Sequence, residues 1–283
     1  MAQQSNDKQR NQGITTMRTN VLTTLMGVGA LLVAMNANAS LISTDGGLGV
    51  YDTTNNVTWT SNANLMATQA ASFSGGASAF VNAIIEDSGG VIHDTPNVYD
   101  PSGTYTLSAS DFNTSTGKMK WWGAQAWVNY LDVTKYGGSN QWALPTTVDS
   151  TASYDYPPSQ SSSQLAQLFY GGLGQVVGSS ITTTHNTNYS LFSNVQSYAY
   201  WSGTENSTVP FGQYAAWYFY PDYGYQYYGL KYNDYYALAV SPGQVSAVPE
   251  PSSVWLLGIG LLGLVGLVGL RRRKAETSAL RSF

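Results

Sequence analysis

The chain has no cysteine among its 283 residues. Disulfides, thiolate nucleophiles and cysteine-type metal sites are thereby excluded. Histidine is nearly absent, with His93 and His185 alone, which removes most metallohydrolase and Ser-His triad designs. Charge is sparse, at 10% of residues. From residue 40 to 248 there is no arginine. Four lysines (Lys118, Lys120, Lys135 and Lys231) stand against thirteen acids there, a balance near −9 that the whole-chain value of −4 conceals. Such a surface repels nucleic acid and anionic membranes. The chain shows no Walker loop and no Gly-x-Ser-x-Gly elbow.

What is present begins with two apolar runs, one near each end. Residues 21–35 follow Lys8, Arg10 and Arg18 and lead to Ala37-Asn38-Ala39, a small-x-small cleavage pattern. This predicts an N-terminal signal helix within a secretory signal peptide over residues 1–39, with Met17 an alternative start. Export through the Sec machinery and release by signal peptidase then leave Ser40 as the first mature residue. Residues 254–270 contain only Val, Trp, Leu, Ile and Gly. Seventeen helical residues span about 25 Å, near the short end for a bilayer core of about 30 Å. A soluble core helix would keep a polar face, and this run has none. Arg271, Arg272, Arg273 and Lys274 follow and should stay cytoplasmic, placing the preceding chain on the far side. The glycines at 258, 260, 263, 266 and 269 fit either ordinary tolerance in membrane helices or a smooth docking face.

Pro249-Glu250-Pro251, the apolar run and Arg271–Arg273 with Lys274, in that order, resemble the PEP-CTERM sorting signal over residues 249–274. The resemblance implies an exosortase-type membrane protease as partner, cleavage near the motif and loss of the transmembrane helix. The protein would be transiently anchored in the cytoplasmic membrane, then reach the cell surface or extracellular matrix. A permanent single-span anchor is the alternative.

Residues 40–248 are enough for one exported domain with a sizeable core. Residues 48–52 and 57–60 alternate apolar and polar around Thr53-Thr54-Asn55-Asn56, a hairpin signal. Residues 62–71 and 77–86 read as short helices, and residues 89–103 and 111–117 as loops. Residues 119–133 are the clearest helix, with Trp121, Ala124, Val128 and Leu131 on one face. Residues 164–170 read as a second main helix, stopped by Gly171-Gly172. Residues 198–202, 215–220, 225–232 and 235–240 read as strands. This order predicts an α+β fold with an antiparallel sheet.

Several pieces taken together resemble the C-terminal domain family of Lcl, a collagen-like adhesin of Legionella. They are Val50-Tyr51-Asp52, Trp59, Trp122-Gly123-Ala124-Gln125-Ala126-Trp127, Trp142-Ala143-Leu144-Pro145-Thr146, residues 164–170, Tyr200-Trp201-Ser202-Gly203-Thr204 and Ala216-Trp217-Tyr218-Phe219. The resemblance implies a C-type-lectin-like fold and, in some members, adhesion to sulfated or acidic glycans. This chain departs in Ala143, where the family usually has Arg, in Gln164, often Glu, and in a long insertion at about 74–117. The missing arginine and the acidic balance weigh against carrying over sulfated-glycan binding.

Twelve of the 23 residues from Tyr214 to Tyr236 are aromatic. Trp217 and Phe219 should share one strand face, Tyr218 and Tyr220 the other. These rings read either as core plus cross-strand pairs or as a sugar-stacking platform. Tyr223, Tyr225, Tyr227 and Tyr228, near a turn, are the candidates for stacking. Tyr232-Asn233-Asp234 resembles the Trp-Asn-Asp calcium motif of C-type lectins, so Asp222, Asn233 and Asp234, with Glu205-Asn206, are candidate calcium ligands. A polar hairpin turn is the plainer reading of Asn-Asp. Glu86-Asp87 and Glu205 offer no evident pair for glycoside hydrolysis. The expectation is an exported, non-enzymatic protein associating with exopolysaccharide or biofilm matrix. The alternatives are a self-assembling surface protein and, behind it, a hydrolase.

Overall fold

The N-terminal hairpin owes its shape to one buried carboxylate. In the computed structural model, β2 (Gly49–Asp52) and β3 (Val57–Thr60) pair antiparallel around a turn organised by Asp52. Asp52 is buried at 0% exposure and accepts hydrogen bonds from the backbone N–H of Thr54 and Asn55 and from the Asn55 amide. Asn56 then takes a positive φ of 52°, a conformation asparagine tolerates. β1 (Leu41–Thr44) flanks β2, and the late strand β12 (Val240–Pro242) returns to flank β3. The structure describes residues 41–97, 100–149, 154–155, 163–207 and 214–245. The expected signal helix and transmembrane helix lie outside these residues. Among those described, no helix is long and apolar enough to cross a membrane.

Three helices follow the hairpin: α1 (Leu65–Ser72), α2 (Gly76–Asp87) and α3 (Trp121–Val133). α3 carries the expected buried face, but Trp122, Ala126 and Trp127 are buried as well. Its other side is covered by the insertion. Phe80, Val81 and Ile84 of α2, with Leu107 and Phe112, join α3 in one core. The insertion is thus part of the hydrophobic centre. The loops expected at 89–103 and 111–117 also contain short pairings. β4 (Val91–His93) pairs with β5 (Thr104–Thr106), and β6 (Phe112–Asn113) with β7 (Lys118–Met119).

The second expected main helix is corrected. Residues 164–166 form one α-turn, capped by the Ser163 hydroxyl, and residues 167–172 widen into a π-turn that contains both glycines. Leu168, Phe169 and Leu173 from this segment pack with Leu41, Val50, Trp59 and Phe219 in a second core. Among the described residues the two longest helices are therefore α2 and α3.

A second four-stranded antiparallel sheet has the order β8-β11-β10-β9, with β8 (Tyr154–Asp155), β9 (Tyr200–Asn206), β10 (Ala215–Tyr220) and β11 (Tyr225–Leu230). Residues 235–239, expected as strand, form none. Tyr235 bridges to Met119, Tyr236 to Tyr200 and Val240 to Ala143, three different partners that build no continuous ladder. The mixed α and β architecture with antiparallel sheets agrees with the α+β expectation.

Candidate functional site: a tyrosine-lined sheet face

Strand register decides which tyrosines meet. Tyr218 lies opposite Tyr227, and Tyr220 opposite Tyr225. Side chains alternate along a strand, so these four share one face with Ala216. The inner end of that face is packed. Ala216 is in the core beneath α3, and Tyr218 meets Trp201 and Tyr235 at ring-centroid distances of 6.5 and 4.8 Å. The outer end stays accessible. Tyr220 lies 5.1 Å from Tyr225, 6.0 Å from Tyr223 and 5.4 Å from Tyr198. Tyr223 is 52% exposed. The Lys118 ammonium sits 4.0 Å above the Tyr198 ring, a cation–π contact at the edge of the aromatic surface.

The opposite face is core. Phe219 stacks on Phe169 at 5.0 Å, and the Trp217 indole donates to Asp149 Oδ1 at 3.0 Å. Tyr228 belongs to this face, 6.0 Å from Trp217, yet its ring reaches Tyr227 at 4.5 Å. The four stacking candidates therefore separate. Tyr225 and Tyr227 share a face, Tyr223 caps its end, and Tyr228 starts from the other side. Tyr198, Tyr220 and Tyr235 join the first three, a grouping their distances along the chain do not announce.

The turn between β10 and β11 is clamped. Gly224 has a φ of 78°, and a Cβ there would meet the Tyr170 hydroxyl at 2.1 Å. That hydroxyl donates to the Gly224 carbonyl. The Gln175 amide and the Ile181 N–H both donate to the Pro221 carbonyl, and the Gly178 N–H donates to that of Tyr223. The rings at this end are thus presented by a fixed backbone.

Four phenols in or beside this surface are pushed away from ionisation. Burial, reinforced by Tyr235 and Tyr225, pushes the ionisation of Tyr218 upward. Burial raises Tyr235 to about 12, against a lowering hydrogen bond from Asn233. Tyr220 is raised by burial and then by Asp222. Tyr228 is raised first by its hydrogen bond with Tyr227. A neutral phenol offers a flat apolar face and a hydrogen-bonding tip, the chemistry a sugar ring requires.

The candidate calcium ligands are not brought together. Asp222 sits in the turn before β11, and Asn233 and Asp234 lie beyond its far end, about 20 Å of strand away. Asn233 serves a turn, with its N–H on the Leu230 carbonyl and its amide on the Tyr235 hydroxyl. Glu205 is engaged by Lys231. Among the described residues no group of three or more His, Asp or Glu could hold a metal ion.

Sequence reasoning missed a polar cluster inside the core. Lys231 lies at the end of β11 with its side chain at 0% exposure, 2.6 Å from Asp94 Oδ2 and 3.2 Å from Glu205 Oε2. One signal pointed to it: a lone lysine within the aromatic strands.

Pro249, Glu250, Pro251, Arg271, Arg272 and Arg273 lie outside the described residues. The last described segment, residues 243–245, is bound to the N-terminal sheet. The Thr44 hydroxyl donates to the Val245 carbonyl, and the Val245 N–H donates to Thr58 Oγ1. Residues 247–274 match the PEP-CTERM protein-sorting motif. No curated protein and no solved structure matches the chain. The chain carries at its C-terminus the signal by which exported proteins are anchored in the membrane and handed to an exosortase.

Proposed function

We propose that the exported domain is a non-enzymatic, C-type-lectin-like module, related to the Lcl C-terminal family, that associates with exopolysaccharide or biofilm matrix. The observation that carries this reading is the joined surface of Tyr198, Tyr220, Tyr223, Tyr225 and Tyr227, set at one end of a sheet face beside a clamped turn. Each ring supplies a stacking face, and its phenol tip supplies a hydrogen-bonding group for hydroxyl-rich ligands. The acidic balance favours neutral sugars over sulfated ones. The lectin-like reading draws support from the return of β12 to pair with β3 of the N-terminal hairpin. The sorting motif supplies the setting, export and handling by an exosortase.

The test is retention on polysaccharide from the host. The wild-type domain should be retained, and Tyr225→Ala with Tyr227→Ala should lose retention while its circular dichroism stays unchanged. Equal retention of the double variant, or none by wild type at millimolar sites, refutes the reading. Size-exclusion chromatography separates the self-assembly alternative, which requires concentration-dependent oligomers lost in the same variant.

A further inference from the structure

We propose that Lys231 and Asp94 join through an intramolecular isopeptide bond, with Glu205 as the proton carrier. The three side chains meet from separate parts of the chain, Lys231 and Asp94 buried and Glu205 19% exposed at the rim. Asp94 follows β4 in the insertion, Glu205 is on β9, and Lys231 closes β11. The Lys231 and Asp94 side chains are both at 0% exposure, with Nζ 2.6 Å from Oδ2. That contact puts the amine nitrogen within reach of the carboxyl carbon before any rearrangement.

The surroundings suit the reaction. The Trp121 and Trp122 rings lie 4.5 and 5.7 Å from Nζ. Tyr105 stacks on the far side of Trp122 and helps exclude solvent. The amine attacks once Glu205 has taken a proton from it. The Trp122 indole N–H donates to Asp94 Oδ2 at 2.9 Å, where negative charge builds in the tetrahedral intermediate. Asp94 Oδ1 is buried with no hydrogen-bond partner among the described residues. In an ion pair kept only for structure that oxygen is a standing cost. In the proposed step it is the oxygen that leaves.

The step balances without any co-reactant. The Lys231 nitrogen forms a bond to Asp94 Cγ, and the bond from Cγ to one carboxyl oxygen breaks. Two of the three ammonium protons leave the nitrogen and end on the departing oxygen, which is released as water. Glu205, 3.2 Å from Nζ, carries them and begins and ends as a carboxylate. The remaining oxygen becomes the amide carbonyl and keeps the Trp122 hydrogen bond. The bond would tie positions 137 residues apart in a domain that has no cysteine for a disulfide.

Intact mass of the full chain, corrected for signal removal, decides the matter. The expected mass is one water below the sequence value. Trypsin should leave Lys231 uncut and yield one branched peptide containing Asp94 and Lys231. The nearby Lys120–Asp111 pair, 3.0 Å apart with a partly exposed lysine, is the internal control and should stay cleavable. Glu205→Gln should accumulate at the full sequence mass while near-ultraviolet circular dichroism shows it folded. Asp94→Asn should converge on the wild-type mass by losing ammonia instead of water. Folded wild-type chain at full sequence mass, with Lys231 cleaved after denaturation, overturns the proposal.

Discussion

Tyr105 stacks on Trp122 with ring centroids 3.8 Å apart and planes 3° from parallel. One ring comes from β5 in the insertion and the other from α3. The Tyr105 hydroxyl also donates to Asp111 Oδ1 at 2.9 Å, and burial with that bond pushes its ionisation upward. Tyr105→Ala should destabilise the domain by about 2–3 kcal/mol in urea unfolding. Tyr105→Phe should cost only about 1 kcal/mol, because Asp111 still accepts from Lys120 and the Ser108 N–H. Equal losses would place the energy in the hydroxyl and not in the stack.

Gly123 is the point of closest approach between α3 and the insertion. A Cβ there would meet the Asp111 carbonyl oxygen at 2.6 Å. Alanine normally gains about 1 kcal/mol over glycine inside a helix. Here the clash is with backbone, which cannot swing away. Gly123→Ala should lower the unfolding midpoint despite the better propensity, with a net loss of about 1–3 kcal/mol. A rise in midpoint would mean the insertion sits further from α3.

Asp132 at the end of α3 accepts the Trp142 N–H. Burial pushes its carboxyl up, outweighing the lowering effect of that bond. A raised carboxyl stabilises the fold when protonated, and this contribution is lost as pH rises through the folded value. Asp132→Asn should therefore be neutral or stabilising at neutral pH, because the amide oxygen keeps the bond without the buried charge. Asp132→Ala leaves the Trp142 N–H unpaired and should cost about 1–3 kcal/mol. Thermal denaturation of the two variants checks the order.

Alkaline pH should unfold this domain earlier than its apolar core suggests. Tyr200 and Tyr218 are pushed up mainly by burial, and Tyr235 reaches about 12 from an ordinary value of 10.0. The unfolded chain releases these phenol protons from about pH 10, while the folded chain holds them longer. Stability is fully present below pH 10 and is lost as pH rises toward 12. Phenolate absorbance should therefore appear in two phases, the second coinciding with loss of near-ultraviolet circular dichroism. A single phase near pH 10 in the folded protein contradicts the burial of these three rings.

Loss of the sorting tail should leave the domain intact. The last described contacts to the N-terminal sheet are made by residues 243–245, and the motif begins at residue 247. A chain ending at residue 248 should unfold within about 0.5 kcal/mol of the chain carrying the tail. A chain ending at residue 239 loses β12 and should not fold. Replacing Pro249, Glu250 and Pro251 together by alanine should leave the tail attached in the host, read by intact mass.

Local patterns made much of this legible. The hairpin showed in alternation around Asn55-Asn56, and α3 in Trp121, Ala124, Val128 and Leu131. The sides of β10 were readable too, with Trp217 and Phe219 buried together. Other readings failed where the signal was not local. Residues 235–239 have strand-like composition, but Tyr235 bridges to Met119 and Tyr236 to Tyr200, two different partners in turn. Residues 164–170 have helical periodicity, yet Gly172 packs against Leu41, where a Cβ would lie 3.1 Å from a methyl group, and the turn widens through both glycines.

The sequence by itself determined the address of this protein and the chemistry open to its domain. An apolar tail followed by arginines, a signal-like start, the absence of cysteine, and the absence of arginine from residues 40–248 act through composition, which needs no folding to be read. Tertiary structure alone decided which side chains meet. Asp94 and Lys231 are 137 residues apart, and Tyr198, just before β9, meets Tyr220 only because β9 pairs with β10. Such meetings depend on how the chain returns upon itself, and periodicity over a few residues carries no record of that.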